Sequence, residues 1–362
     1  MRRCKRCLLP ETYPNIHFND EGICNYCIDY QNKKQKSDFK EKERLKAEME
    51  KIFEKNRRKG DYDCLVGLSG GKDSIYLLYV LSKQYGLKVL AYTCDNGFMS
   101  RVAYDNIRYT VSKLNVDHIF FKPRFDIYKK IFSYMIVHFN KGIARTICPI
   151  CSSIYGGVAK KIAIQMNIPL IAFGWSPEQD NPSYRVARSR FFQESYMPKV
   201  LFYEIFDDED RKFFWDLYRY QVRRIIPNIV ASFLVRKCPR SLFRFMMEKY
   251  PLVLTPYKVW GYNPKRNAEE IIKLGLIPKG NENPLATNCL MIFLMWYLDF
   301  KKLGYSPFVF EYSSYVREGK LDRQEYLEIF ERAEEEIKRD SFKNDIIDFI
   351  LTKLDVKKTD II

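Results

Sequence analysis

The chain has 362 residues, 46% of them hydrophobic and 15% aromatic, which excludes a disordered polymer and leaves room for one large domain or two to three smaller ones. Sixty-one Lys and Arg against 45 Asp and Glu give a net charge of +16, favouring anionic partners such as nucleotides or nucleic acid, although a lysine-rich proteome would give the same balance. No apolar run is long enough to span a bilayer, and Met1 is followed by Arg2, Arg3 and Cys4 rather than an apolar leader, so the expectation is a cytoplasmic protein without a transmembrane segment.

Residues 1–30 contain "CKRCLLPETYPNIHFNDEGICNYC": Cys4-x2-Cys7, sixteen residues, then Cys24-x2-Cys27. Two such knuckles at this separation can close a tetrahedron of thiolates, so a structural Zn²⁺ site is expected, ordering a segment too short to build its own core. Residues 31–60 follow as a linker dense in alternating charge. Leu45, Met49, Ile52 and Phe53 recur at helical spacing there, which predicts a solvated helix with one thin apolar stripe.

A third region, 61–200, carries the chemistry. Tyr62–Leu68 predicts a buried strand and the apolar positions from Ser74 predict a helix, with Ser69-Gly70-Gly71-Lys72-Asp73-Ser74 at the turn between them. Glycine amides at a helix N-terminus form an anion-binding concavity. Lys72 adds a positive charge, Ser69 and Ser74 add hydroxyls, and Asp73 suits Mg²⁺ on a pyrophosphate. The loop is neither a Walker A motif, because Val66 stands where the first glycine belongs and Asp73 follows the lysine, nor a dinucleotide fingerprint. It resembles the SGGxDS signature of the PP-loop ATP pyrophosphatases, which cleave ATP between the α and β phosphates and leave AMP on a substrate oxygen.

Further strands are predicted at Lys88–Cys94, Asp117–Lys122 and Ile168–Gly174, with helices at Arg101–Leu114, Phe125–Phe139 and Ser152–Met166. The alternation implies an α/β fold, a doubly wound parallel sheet with ligands at the carboxyl ends of the strands. Asp95 and Gly174 then share a rim with Gly70. The resemblance places adenine near the end of the second strand, at Asp95, and ribose or α-phosphate near the fourth, at Gly174. Arg145, Tyr155, Trp175, Glu178 and Gln179 are candidates on the same rim.

Cys148-Pro-Ile-Cys151 is predicted to open the helix before the fourth strand. Its position resembles the C-x-x-C of PP-loop tRNA thiolases, which implies a [4Fe–4S] cluster with a later third cysteine, Cys289 or alternatively Cys238. Buried small residues or a second zinc half-site explain the same pair. Cys64 and Cys94 read as core, and His17, His118 and His138 as structural or exposed.

Residues 201–362 read as mainly helical. Within 211–250, ten Lys and Arg stand against two acids among many aromatics, which suits RNA, a membrane surface, or simply basic helix edges. The N-terminal string, the charged helix and SGG-x-DS together resemble the N-acetyl sugar amidotransferases of lipopolysaccharide and nonulosonate biosynthesis. "GYNPKRNAEEIIKLG" (261–275) and "GYSPFVFEYSSYVREGKLDRQEYLEIFERA" (304–333) extend that resemblance more weakly. It implies adenylation of an N-acetyl group of a nucleotide sugar, with Lys72 and Asp73 as catalytic residues. Ammonia from a separate glutaminase subunit then replaces the oxygen to give an acetamidino sugar. The alternative is a PP-loop sulfur transferase that uses the cluster on tRNA or a small molecule. ATP and Mg²⁺ are common to both.

Overall fold

The computed structural model describes residues 1–34, 39–138, 143–180, 201–217, 250–278, 281 and 288–361. Cys238 and most of the basic stretch 211–250 lie outside the described residues. Five parallel strands form one sheet: β1 (Cys64–Gly67), β2 (Val89–Cys94), β3 (Asp117–Phe121), β4 (Leu170–Ala172) and β5 (Leu252–Leu254), in the order β3-β2-β1-β4-β5. The doubly wound parallel sheet expected from the sequence is therefore present.

Period-two side-chain alternation divides the core between the two faces of the sheet. Cys64, Val66, Ala91, Leu170 and Ala172 pack against Ile75, Leu78, Ile107 and Ile271 on one face. Leu65, Leu90, Tyr92 and Ile171 pack against Ile131, Ile154 and Val158 on the other. After α1 (Asn25–Lys34) and α2 (Phe39–Asn56), the first face is covered by α3 (Lys72–Tyr79), α4 (Arg101–Leu114) and the helix Pro264–Lys273. The second is covered by α5 (Phe125–Val137), α6 (Ile143–Gln165) and the helices Met291–Leu303, Val309–Arg317 and Asn344–Leu354.

Two features differ from expectation. The sheet takes its fifth strand from the C-terminal part read as helical: a three-residue strand gives too short an alternation to register in sequence, and its pairing with β4 supplies the order that its own pattern lacks. Helix α6 begins at Ile143, so Cys148-Pro-Ile-Cys151 lies within it rather than opening it.

The order of the sheet reverses between β1 and β4, since β2 and β3 extend one way and β4 and β5 the other. A doubly wound sheet opens a crevice at such a point, at the carboxyl ends of the strands.

The N-terminal module (1–30) packs on the helical C-terminal region. Leu8 donates its amide to Ser313 Oγ at 3.2 Å, Arg323 donates to the carbonyls of Cys7 and Cys4 at 3.2 and 2.9 Å, and Tyr13 stacks on Phe310. Arg3 and Glu334 form a buried ion pair. Among the described residues, no helix is long and apolar enough to cross a membrane.

Candidate active site

The crevice at the β1/β4 reversal holds a cavity of about 460 Å³. Its floor is the turn after β1. Gly71 is the N-cap of α3 and offers no side-chain hydrogen bond, so the first-turn amides of the helix face the cavity without a capping partner. Ser69 and Ser74 brace the turn through their hydroxyls, 3.1 Å apart, while Ser74 also donates to Gly71 O at 2.9 Å. Gly70 has φ +79°, and a Cβ there would lie 2.5 Å from the carbonyl oxygen of Ala103 on α4. Only glycine meets both conditions. From behind, Asn106 of α4 donates to Gly70 O at 3.1 Å. The loop is thus a rigid cradle of backbone donors with the positive end of a helix dipole behind it.

Lys72 lies 3.0 Å from Asp73. Burial works against the charged ammonium, but Asp73, Tyr312 and Glu311 together raise the Lys72 pKa, which keeps the side chain cationic. Asp73 is itself fixed from a distance. Tyr262 donates to Oδ2 at 2.9 Å, Asn267 donates to Oδ1 at 3.1 Å, and Tyr257 donates to the Asp73 carbonyl at 2.7 Å. Tyr262 and Asn267 fall within the GYNPKRN stretch singled out in the sequence, but no local pattern there announces a role. Gly174 lies against the same turn, its missing Cβ leaving 3.2 Å to the backbone of Asp73.

A further wall comes from the helix Val309–Arg317, a segment the sequence predicts to be helical but to which it gives no role. Glu311, Tyr312 and Tyr315 line the cavity, close enough to Lys72 and Asp73 to feel their charges. Ser176 and Tyr315 both donate to Glu311 Oε1, at 2.8 and 2.9 Å. Burial pushes the Glu311 carboxyl pKa up, against the pull of those hydroxyls and of Lys72. The same helix carries Ser313, which meets the N-terminal module, so the module buttresses one wall of the cavity.

Not every expected residue reaches the cavity. Asp95 is buried beneath its rim. Its Oδ1 accepts from the amide of Gly97 at 2.8 Å and its Oδ2 from Tyr104, with Lys122 3.3 Å away, so its carboxylate anchors the turn after β2. Its neighbours Cys94 and Asn96 line the cavity instead, so Cys94 is not simply core, whereas Cys64 is fully buried. Tyr155 and Trp175 line the cavity and Glu178 does not; the side chains of Arg145 and Gln179 lie outside the described residues.

Cys148, Cys151 and Cys289 all line this same cavity. The first two are one turn apart on α6. Cys289 arrives on a segment that pairs with the turn after β2: Leu290 donates its amide to Phe98 O at 2.8 Å, Ser100 donates to Asn288 O at 3.2 Å, and Met99 bridges Cys289. The side-chain nitrogen Nδ2 of Asn96 lies 3.5 Å from both Cys151 Sγ and Cys289 Sγ, so the two sulfurs flank a single donor. Burial raises the pKa of both thiols. Three soft ligands around one opening beside the loop suit an iron–sulfur cluster.

The second cysteine set stands apart, in the N-terminal module. The sulfurs of Cys4, Cys7, Cys24 and Cys27 all lie within 4.8 Å of one another and are fully buried. Cys4 and Cys27 are 3.8 Å apart, as are Cys7 and Cys24. A tetrahedron with metal–sulfur bonds of about 2.3 Å has edges of about 3.8 Å, so the four residues are spaced to hold one metal ion. The amides of Arg6 and Cys24 point at Cys4 Sγ, at 3.4 and 3.3 Å.

No protein-family model matches the chain. A protein of Methanocaldococcus jannaschii described as a probable sulfurtransferase is 34% identical over 119 residues, covering 29% of this chain and 35% of that protein. An uncharacterised protein of the same organism is 29% identical over 117 residues, covering 32% of this chain and 40% of its own length. The chain therefore spans between 35% and 40% of the length of these curated relatives. Among solved structures, the U34-tRNA thiolase NcsA from Methanococcus maripaludis with its [4Fe–4S] cluster aligns over 91% of this chain and 89% of its own, at 15% identity and a TM-score of 0.34. The NH3-dependent NAD synthetase from Campylobacter jejuni aligns over 57% and 92%, at 11% identity and a TM-score of 0.30.

Proposed function

We propose that the chain is a PP-loop ATP pyrophosphatase that adenylates an oxygen of its acceptor and replaces that oxygen with sulfur. One observation carries the reading: Cys148, Cys151 and Cys289, the last 138 residues from its neighbour in sequence, open onto the same cavity as the Ser69–Ser74 loop. The partial match to a probable sulfurtransferase supports it.

In this mechanism the loop amides and Lys72 bind the β and γ phosphates of ATP. Asp73, aimed by Tyr262 and Asn267, would hold Mg²⁺, which would supply positive charge to offset that of the phosphates. An acceptor oxygen attacks the α-phosphorus, and pyrophosphate leaves into the cradle of amides, which stabilises its developing charge. Hydrosulfide then attacks the activated carbon; the C–S bond forms, the C–O bond breaks, and its electron pair leaves with AMP. A [4Fe–4S] cluster on Cys148, Cys151 and Cys289 would supply an iron without a cysteine ligand at which sulfur can be carried. The four-cysteine module would hold Zn²⁺ and act structurally, supporting the helix that bears Glu311. The net charge of +16 suits tRNA as the acceptor, with a small molecule as the alternative.

A second reading keeps the adenylation and changes the nucleophile. The resemblance of the N-terminal string to the N-acetyl sugar amidotransferases favours an amidotransferase, in which ammonia from a separate glutaminase subunit attacks an adenylated N-acetyl nucleotide sugar. The two readings share the first half-reaction, so ATP labelled at the α-phosphate tests both: labelled AMP is expected, with release of pyrophosphate, and labelled ADP would refute them together. Supplying sulfide or ammonia with the acceptor, and weighing the product, separates them.

A further inference from the structure

Asn96 occupies a position that neither the phosphate loop nor the cysteine ligands explain. Its Oδ1 accepts from the backbone amide of Phe98 at 2.9 Å, which fixes the orientation of the side-chain amide. Nδ2 is therefore the end presented to the cavity, and it lies 3.5 Å from Cys151 Sγ and 3.5 Å from Cys289 Sγ. Its own turn is held rigid: Asp95 caps Gly97, and Lys353 donates to Gly97 O at 2.6 Å from the C-terminal helix. A rigid amide with its two hydrogens shared between sulfurs from two remote segments is a built feature rather than a chance contact.

We infer that Asn96 is a positioning residue for the sulfur chemistry: it donates N–H···S hydrogen bonds to the thiolates of Cys151 and Cys289 when they ligate a cluster. The inference rests on the sulfur-transfer reading. Two consequences follow from the physics. Hydrogen bonds to ligating sulfur draw charge from the metal–thiolate bonds and stabilise the reduced cluster, raising its reduction potential. They also tie the C-x-x-C pair on α6 to the distant third cysteine, so that the three-ligand set is in place before a cluster arrives.

The test uses the full chain reconstituted anaerobically with iron and sulfide. Asn96→Asp is close in shape and keeps the acceptor for the Phe98 amide but removes the donors; Asn96→Leu removes both. Iron and sulfide content and the midpoint potential, followed by electron paramagnetic resonance, are the readouts. The wild type is expected to load a cluster, and each variant to show a more negative midpoint or, with circular dichroism and melting unchanged, a loss of loading. Variants with wild-type loading and potential would overturn the role of Asn96 while leaving the sulfur-transfer reading intact. A wild type that loads no cluster would overturn that reading and this inference with it.

Discussion

The hydroxyl of Tyr262 reaches Oδ2 of Asp73 at 2.9 Å, joining residues 189 positions apart in the chain. Asp73 belongs to the loop that sequence assigns to metal and phosphate, yet its aim is set by a segment beyond β5. Removing one hydrogen bond to an ionised group costs about 1.5–3 kcal/mol. Tyr262→Phe should thus lower the rate of pyrophosphate release roughly 10- to 100-fold while the chain stays folded, as a coupled pyrophosphate assay would show. Asp73→Ala should abolish the release altogether. A Tyr262→Phe enzyme at full rate would mean the tyrosine does not orient the carboxylate.

Gly70 offers a sharper steric prediction. Gly70→Ala must place a Cβ 2.5 Å from Ala103 O at φ +79°, and the obstruction is backbone, which cannot swing aside. A destabilisation of about 2 kcal/mol or more is expected in chemical denaturation. ATP binding, measured by calorimetry, should weaken with it.

Glu311 predicts a pH dependence of stability. Burial raises its folded pKa above the unfolded value, so the ionised carboxylate weighs against folding. That cost is absent below the unfolded pKa, grows as pH climbs from there through the raised folded value, and is full above it. Glu311→Gln should therefore melt higher than the wild type near about pH 8, and the two should converge below about pH 4. A difference that grows on acidification would contradict this sign.

The four-cysteine module predicts a metal-dependent wall. Cys4→Ser should lower zinc content in elemental analysis and reduce the melting temperature by on the order of 5 °C or more, because metal binding supplies the order that so short a segment lacks. Unchanged metal content would refute the site.

Much of this was readable in sequence because it is local. Ser69–Ser74 is contiguous, the two C-x-x-C knuckles are held by short spacings, β1, β2 and β4 are buried, mainly apolar runs, and β3 carries Ile119, Phe120 and Phe121 in a row. What stayed hidden depends on contacts between remote segments. Tyr262, Asn267 and Glu311 carry no role legible in sequence, since a tyrosine ahead of a helix, or an asparagine or a glutamate within one, has the same sequence signature whether it faces solvent or a cavity. Asp95 shows the opposite failure: its place at the end of β2 was correct, but its carboxylate turns inward to Gly97 and Tyr104, and the adjacent Asn96 faces the cavity. Cys289 is expected only from the resemblance to the PP-loop tRNA thiolases, with Cys238 as the alternative, and its pairing with residues 98–100 brings it to the cavity.

The most direct measurement is iron and acid-labile sulfide in anaerobically purified protein, compared across single cysteine-to-serine variants. The account predicts iron and sulfide in equal amounts, lost when Cys148, Cys151 or Cys289 is replaced and retained when Cys4 is replaced. Protein without iron, or iron that follows Cys4 rather than Cys151 and Cys289, would contradict it.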